Sequence, residues 1–288
     1  MEIRHRLLQF NNDQVFDLFK SELDQANATY KITRLGQIGS KESLALEFIV
    51  SENDELFPLS QSLVARYNIL EQVGVHFDEH DFEVAEWFYI VAGEYQYPMG
   101  ENEDSDYTEV TYDLSNYCHK CGMGKIQNNP FRLKRDFKQR TNQFLGLHYV
   151  FGTIFIRHPA KEILTQEGFT GIDYEHPLFA GSKEPIKTVY QMKVNKIIQP
   201  GLVQAWQESG KGYVICPLCQ SKKSLYPRRE AIRFVRSVFP DSFDVVQSNE
   251  HFGSGLSANR LTLVSKRFYN VVQKYKLKGL AFTPVILE

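Results

Sequence analysis

The sequence predicts an α+β protein in two parts. These are an acidic N-terminal α+β domain, residues 1–111, and a second domain, residues 112–288, in which one strand–helix–strand unit occurs twice. Three observations carry this expectation. Strand-like and helix-like runs are mixed through the first 115 residues. The charge reverses sign near residue 115. Residues 155–174 and 263–282 align without a gap at an offset of 108.

Composition sets the frame. The chain has 288 residues, 42% of them apolar and 24% charged, with 21 Phe and 15 Tyr to fill a core. That excludes general disorder, collagen-like repeats and a coiled coil. At about 150 residues per domain, two domains are expected. The longest apolar stretch, residues 144–156, is too short for a membrane span and contains His148. The first ten residues carry charge where a signal peptide needs an apolar run, so a cytoplasmic protein is expected.

In chain order, residues 3–10 read as a strand. Asn12 or Asp13 then caps a helix running to about Asp24, with Val15, Phe16, Leu18, Phe19 and Leu23 on or near its apolar side. Residues 30–38 and 44–50 read as strands joined by a Gly39-Ser40 turn, 59–70 as a helix and 83–91 as a strand. Residues 100–106 form a polar, acidic loop, and the domain boundary is placed there.

Residues 1–115 hold 23 acidic against 7 basic side chains, a net of −16; residues 116–288 hold 12 against 26, a net of +14. Two readings stay open. Either the halves attract and pack on each other, or one half presents its field to a partner, an acidic face suiting a basic protein and a basic face a nucleic acid. Under the second reading, the partner-binding candidates are Asp78, Glu79, Asp81, Glu101, Glu103, Asp104 and Asp106. The cluster Asp78-Glu79-His80-Asp81 also admits a metal or acid–base role, against the plainer reading of a surface turn.

All four cysteines fall in CxxC pairs, Cys118/Cys121 and Cys216/Cys219. Two such pairs supply the four thiolates of a closed tetrahedral Zn²⁺ site, which keeps no position open for a catalytic water. Gly122 fits the tight turn of a knuckle, and Pro217 fixes one. The 94 residues between the pairs far exceed the spacing of an ordinary ribbon, which is about 15–20. A thioredoxin-like redox pair needs only one CxxC, two disulfides do not suit a reducing compartment, and an iron–sulfur cluster fits the ligand count but not its usual close spacings.

The repeat accounts for the spacing. Ile163 and Leu164 fall on Val271 and Val272, and Gly171 on Gly279. Each copy reads as strand, helix, glycine turn and strand, preceded by a CxxC pair, a proline (Pro130, Pro227) and a basic, helix-like stretch. Its length excludes a short-repeat solenoid. Two copies, about 112–199 and 200–288, bring their knuckles to one metal across a pseudo-twofold axis. The basic residues Lys125, Arg132, Lys134, Arg135, Lys138 and Arg140, then Lys222, Lys223, Arg228, Arg229, Arg233 and Arg236, admit a solvated or docked face or a nucleic-acid groove. No phosphate loop, GxSxG elbow, HExxH helix or dinucleotide fingerprint is found, so no enzyme is expected.

The segment with Cys118-His-Lys-Cys121-Gly122, Cys216-Pro-Leu-Cys219 and Gly168-Phe-Thr-Gly171-Ile172 resembles the bacterial double-CxxCG-motif family of immunity-type proteins. The terminal pattern running from Leu263-Val-Ser265 to Gly279-Leu-Ala-Phe-Thr-Pro284 is similar to repeats in related immunity-like proteins. The resemblance covers about residues 112–288 and departs at Gln220, which stands where the family has its second glycine. It implies a cytoplasmic, non-enzymatic protein that binds and neutralises a toxin delivered between bacteria. The alternative is a zinc-ribbon nucleic-acid-binding protein.

Overall fold

Alternating burial builds the first sheet. The computed structural model describes residues 1–11, 14–38, 41–101, 106–138, 141–203 and 212–288. Strands β1 (Glu2–Phe10), β2 (Tyr30–Ile38), β3 (Lys41–Ser51) and β4 (Leu70–His76) form an antiparallel sheet in the order β2-β3-β1-β4. Leu46, Phe48 and Val50 turn to one face of β3, as a period of two requires. Helix Val15–Gln25 buries Phe16, Phe19 and Leu23 among them, and helix Phe57–Tyr67 adds Leu63. The second helix stops short of the expected residue 70 because Asn68 takes a left-handed conformation (φ 50°), which frees 70–76 to pair as β4. The expected cap at Asn12 or Asp13 and the Gly39-Ser40 turn lie outside the described residues.

The chain divides into two compact units, Met1–Phe82 with Arg228–Ala231, and Glu83–Pro227 with Ile232–Glu288. The division falls well before the boundary read at residue 111. Residues 83–91, expected as one strand, are instead the end of helix Glu79–Val84 followed by β5 (Trp87–Ala92). β5 lies inside an eight-stranded sheet of the second unit. The charges therefore regroup. The first unit holds 15 acidic against 9 basic side chains, a net of −6, and the second 20 against 24, a net of +4. Acidic residues of 83–113 pair with basic ones of the same unit: Glu86 with Arg236, and Glu101 with Arg132 and Lys183.

In the second unit, β6 (Glu94–Gln96) is followed by helix Tyr107–Thr111, β7 (Tyr112–Asp113), β8 (Ile126–Gln127) and β9 (Arg132–Leu133). Then come β10 (Phe144–Leu147), β11 (Val150–Arg157), helix His158–Gln166, β12 (Ile172–Glu175), β13 (Leu178–Phe179) and β14 (Val189–Val194). The chain continues through β15 (Leu202–Val203), β16 (Tyr213–Ile215), β17 (Lys222–Ser224), β18 (Arg233–Phe234), β19 (Val245–Phe252), β20 (Asn259–Ser265), helix Lys266–Lys274 and β21 (Leu280–Leu287). The main sheets run β12-β14-β11-β10-β6 and β15-β18-β21-β5-β20-β19-β17-β16. The stretches after the CxxC pairs, expected to be helix-like, form the short strands β8, β9, β17 and β18. Pro130 and Pro227, having no N–H to give a helix, stand among them.

One register occurs twice. Phe144 and Leu145 oppose Ile156 and Phe155; Val245 and Val246 oppose Val264 and Leu263. β14 lies between β11 and β12, with Tyr190 opposite Ile156 and Val194 opposite Ile172. β5 lies between β20 and β21, with Phe88 opposite Val264 and Ala92 opposite Leu280. Leu178 pairs in parallel with Arg132, and Ile286 with Arg233. The backbone bonds between the two sets are reciprocal. Phe144 N donates to Lys278 O at 3.0 Å and Val245 N to Thr170 O at 3.2 Å; Gly93 N donates to Gly279 O and Asn195 N to Gly171 O. Gly171 (φ 90°) sits against the Val245 carbonyl and Gly279 (φ 107°) against the Phe144 carbonyl, where a Cβ would collide with backbone oxygen.

Gly171→Ala and Gly279→Ala are each expected to cost about 2 kcal/mol or more, since both the backbone angle and the neighbouring carbonyl oppose a side chain. Denaturant unfolding of the two variants checks this. A loss at one position and none at the other would contradict the equivalence of the two turns.

Candidate metal centre

Each CxxC pair closes a turn on its own backbone. Cys118 N donates to Met123 O at 2.8 Å and Gly122 N to Cys118 O at 2.8 Å. Cys216 N donates to Ser221 O and Gln220 N to Cys216 O, both at 3.0 Å. Such a turn needs a left-handed residue after the second cysteine. Gly122 supplies it at φ 79° and Gln220 at φ 59°. Gln220 thus adopts the conformation that the missing glycine would have given. What differs is the surroundings: a Cβ on Gly122 would collide with the Leu256 carbonyl, whereas Gln220 is exposed.

The two turns meet. Cys118 Sγ lies 3.8 Å from Cys216 Sγ, and Cys121 Sγ lies 3.5 Å from Cys219 Sγ; all four sulfurs fall within 4.8 Å of one another. These separations are too long for disulfide bonds, and all four cysteines are free. They match the edges, about 3.8 Å, of a tetrahedron with ligands about 2.3 Å from its centre. Cys118, Cys121 and Cys216 are buried with Met123 against them, and Cys219 is exposed. The arrangement brings together four sulfurs that could hold one metal ion, drawn from two turns 98 residues apart.

The thiols are not equivalent. The Ser221 hydroxyl and amide stabilise the Cys219 thiolate and bring its pKa down to about 6, and the Cys219 and Leu218 amides lower that of Cys216. Burial pushes Cys121 up to about 12. Metal binding requires all four to give up protons.

Lys223 escaped the sequence reading, which placed it in a basic stretch. It is 2% exposed, and its Nζ donates to Cys121 O at 2.7 Å, Gly255 O at 2.6 Å and Ser257 O at 2.8 Å. All three ammonium protons are used, as a buried cation requires. Its partners stand 32 to 102 residues away along the chain, so no local pattern marks it. Other basic residues of those stretches are also engaged: Arg132 with Glu101, Arg229 with Glu52, Arg233 with Glu288, and Lys125 over the Tyr112 ring.

The acidic candidates have local tasks. Asp78 and Asp81 each accept the other's backbone N–H, and both bind the Met1 ammonium, which ties down the start of helix Glu79–Val84. The Asp81 amide holds the Asp78 carboxyl below its ordinary pKa. Glu79 is exposed. Glu101 bonds Lys183 and Arg132, which bring its pKa down to about 2. Asp106 caps helix Tyr107–Thr111 by accepting Thr108 N at 2.9 Å. Glu103 and Asp104 lie outside the described residues. Among the described residues, the four cysteines are the group of His, Cys, Asp or Glu side chains placed to hold a metal, and no helix is long and apolar enough to cross a membrane. No protein-family model matches the chain, and no curated protein matches it.

Two expectations follow. Gly122→Ala should destabilise the protein by about 2 kcal/mol or more, while Gln220→Gly should be neutral or stabilise it by up to about 1 kcal/mol, because only the first site adds a steric clash. Equal effects in thermal unfolding would contradict the difference in cover. Metal affinity should fall as pH falls, by more than about tenfold per unit below neutrality, because several thiols take up protons when the metal leaves. Chelator competition at stepped pH measures the slope.

Proposed function

We propose that this chain is a non-enzymatic, protein-binding protein of the immunity type, stapled by one structural Zn²⁺ on Cys118, Cys121, Cys216 and Cys219. The observation that carries the metal part is the convergence of two distant CxxC turns on four mutually close sulfurs. Zn²⁺ suits four thiolates in tetrahedral array. With every position filled by protein, the ion supplies cohesion rather than a bound water. The resemblance of the two-CxxC segment to the double-CxxCG immunity-type proteins supports the partner, a bacterial toxin neutralised in the cytoplasm.

The same reading makes the second unit a duplication with exchanged strands. The recurring register begins at β5 and at β14, upstream of the segments 112–199 and 200–288. β5 precedes the first knuckle yet lies between β20 and β21; β14 precedes the second knuckle yet lies between β11 and β12. Each copy thus lends its first strand to the other, and the metal joins them once more.

One observation favours nucleic-acid binding instead. An open cleft of about 690 Å³ is lined by Arg135, Asp136, Phe137, Lys138 and Arg157. Against it stand Arg132, Arg229, Arg233 and Arg236, which are already paired with carboxylates. A steep fall in DNA or heparin affinity with salt would favour the cleft.

Purified protein should contain one zinc per chain by elemental analysis. Cys216→Ser should lose it, with the melting temperature lower by about 10 °C or more. Co-expression with the toxin encoded beside its gene should restore growth and yield a stable complex. Robust turnover of a substrate by the purified protein would overturn the binding role.

A further inference from the structure

The two knuckles share a backbone and differ in cover. Over the first, the connection between β19 and β20 folds down until the Leu256 carbonyl occupies the space left by Gly122. Lys223 fixes that connection in place by bonding Gly255 O and Ser257 O together with Cys121 O. The corresponding connection between β10 and β11 is only His148 and Tyr149, against six residues between β19 and β20. Around the second knuckle, Leu218 is 65% exposed, Ile215 51% and Val214 44%. Cys219 is exposed, while the other three cysteines are at most 7% exposed.

From this asymmetry we propose that Cys219 is the site of covalent modification on this protein, the ligand through which small soft electrophiles and small disulfides reach the metal centre and release its ion. The proposal rests on the metal reading given above. An accessible thiolate is the one that reacts, whether free or metal-bound. With an electrophilic alkene, a sulfur lone pair forms the S–C bond, the displaced π pair takes a proton from water, and the product is a neutral thioether. With a small disulfide, the sulfur forms a mixed disulfide and the other half departs as a thiolate. In both cases Cys219 no longer offers an anionic donor, and three buried thiolates hold the ion less tightly than four. The covered side does not open in the same way. Exposing Cys121 requires breaking the three bonds of a buried ammonium.

The test uses the full chain as purified. Elemental analysis first establishes that metal is bound. Limiting N-ethylmaleimide is then added, the adduct is mapped by peptide mass spectrometry, and released metal is read with a chromophoric chelator. Cys219 should be labelled at least about tenfold faster than any other cysteine, with one ion released per adduct. A first adduct on Cys118, Cys121 or Cys216, or labelling of Cys219 with the ion retained, overturns the proposal while leaving the metal reading intact. Protein purified without any metal overturns that reading and this one together, and shows itself before the reagent is added. Lys223→Met should raise labelling of Cys121 toward that of Cys219. An unchanged ratio in folded variant protein counts against the protective cover.

Discussion

Four sulfurs can meet only if two turns 98 residues apart are held face to face, and the packing that does so runs through two glycines. Gly171 lets its segment approach the Val245 carbonyl, and Gly279 lets its segment approach the Phe144 carbonyl. Each contact is backed by a backbone bond to the same neighbour, from Val245 N to Thr170 O and from Phe144 N to Lys278 O. A Cβ would lie 2.0 Å from the Val245 oxygen at Gly171 and 2.1 Å from the Phe144 oxygen at Gly279, far inside van der Waals contact. The knuckles stand downstream of this constraint, because β17 continues the second knuckle into the sheet that contains β19 and β20.

The central positions of β5 and β14 in their sheets have an energetic logic. An antiparallel sheet missing a central strand exposes two rows of unpaired N–H and C=O groups and an uncovered apolar face. Trp87, Phe88 and Ile90 of β5 fill that place between β20 and β21, while Val189 and Met192 fill it between β11 and β12. Without β5, strands β20 and β21 lose their shared neighbour, and without β14, strands β11 and β12 lose theirs. A metal held by the four cysteines would add binding energy to packing that hydrophobic burial already favours.

Charge was the feature whose meaning changed most. A net of −16 in the first 115 residues left two readings open, packing against the basic residues or a field presented to a partner. Yet the acidic residues of 83–113 fold into the same unit as the basic ones, and several pair with them. Such exposed pairs add little stability individually. The contrast between units shrinks to −6 and +4 because the division places the acidic residues of 83–113 in the unit that holds most of the basic ones. Asp78, Asp81 and Asp106 likewise turn out to be helix caps and end-group partners, tasks that use a carboxylate locally.

The sequence by itself determined which four cysteines could share one site, and much of the local structure. CxxC spacing follows from what one tight turn can present to one ion, and Phe16, Phe19 and Leu23 mark a helical face through spacing alone. Gly171 and Gly279 stood out because a left-handed turn leaves few residue choices. Tertiary structure decided what depends on distant neighbours. Whether residues 87–92 belong with the strands before them or with β20 and β21 is a question of sheet partners, which period-two patterning does not encode. Lys223 reads as one more basic residue until Cys121, Gly255 and Ser257 surround it. Gln220 holds its turn without glycine because no carbonyl descends on it, and Gly122 has no such freedom. Cover of this kind arises only where the chain returns on itself, so it leaves no mark in the residues nearby.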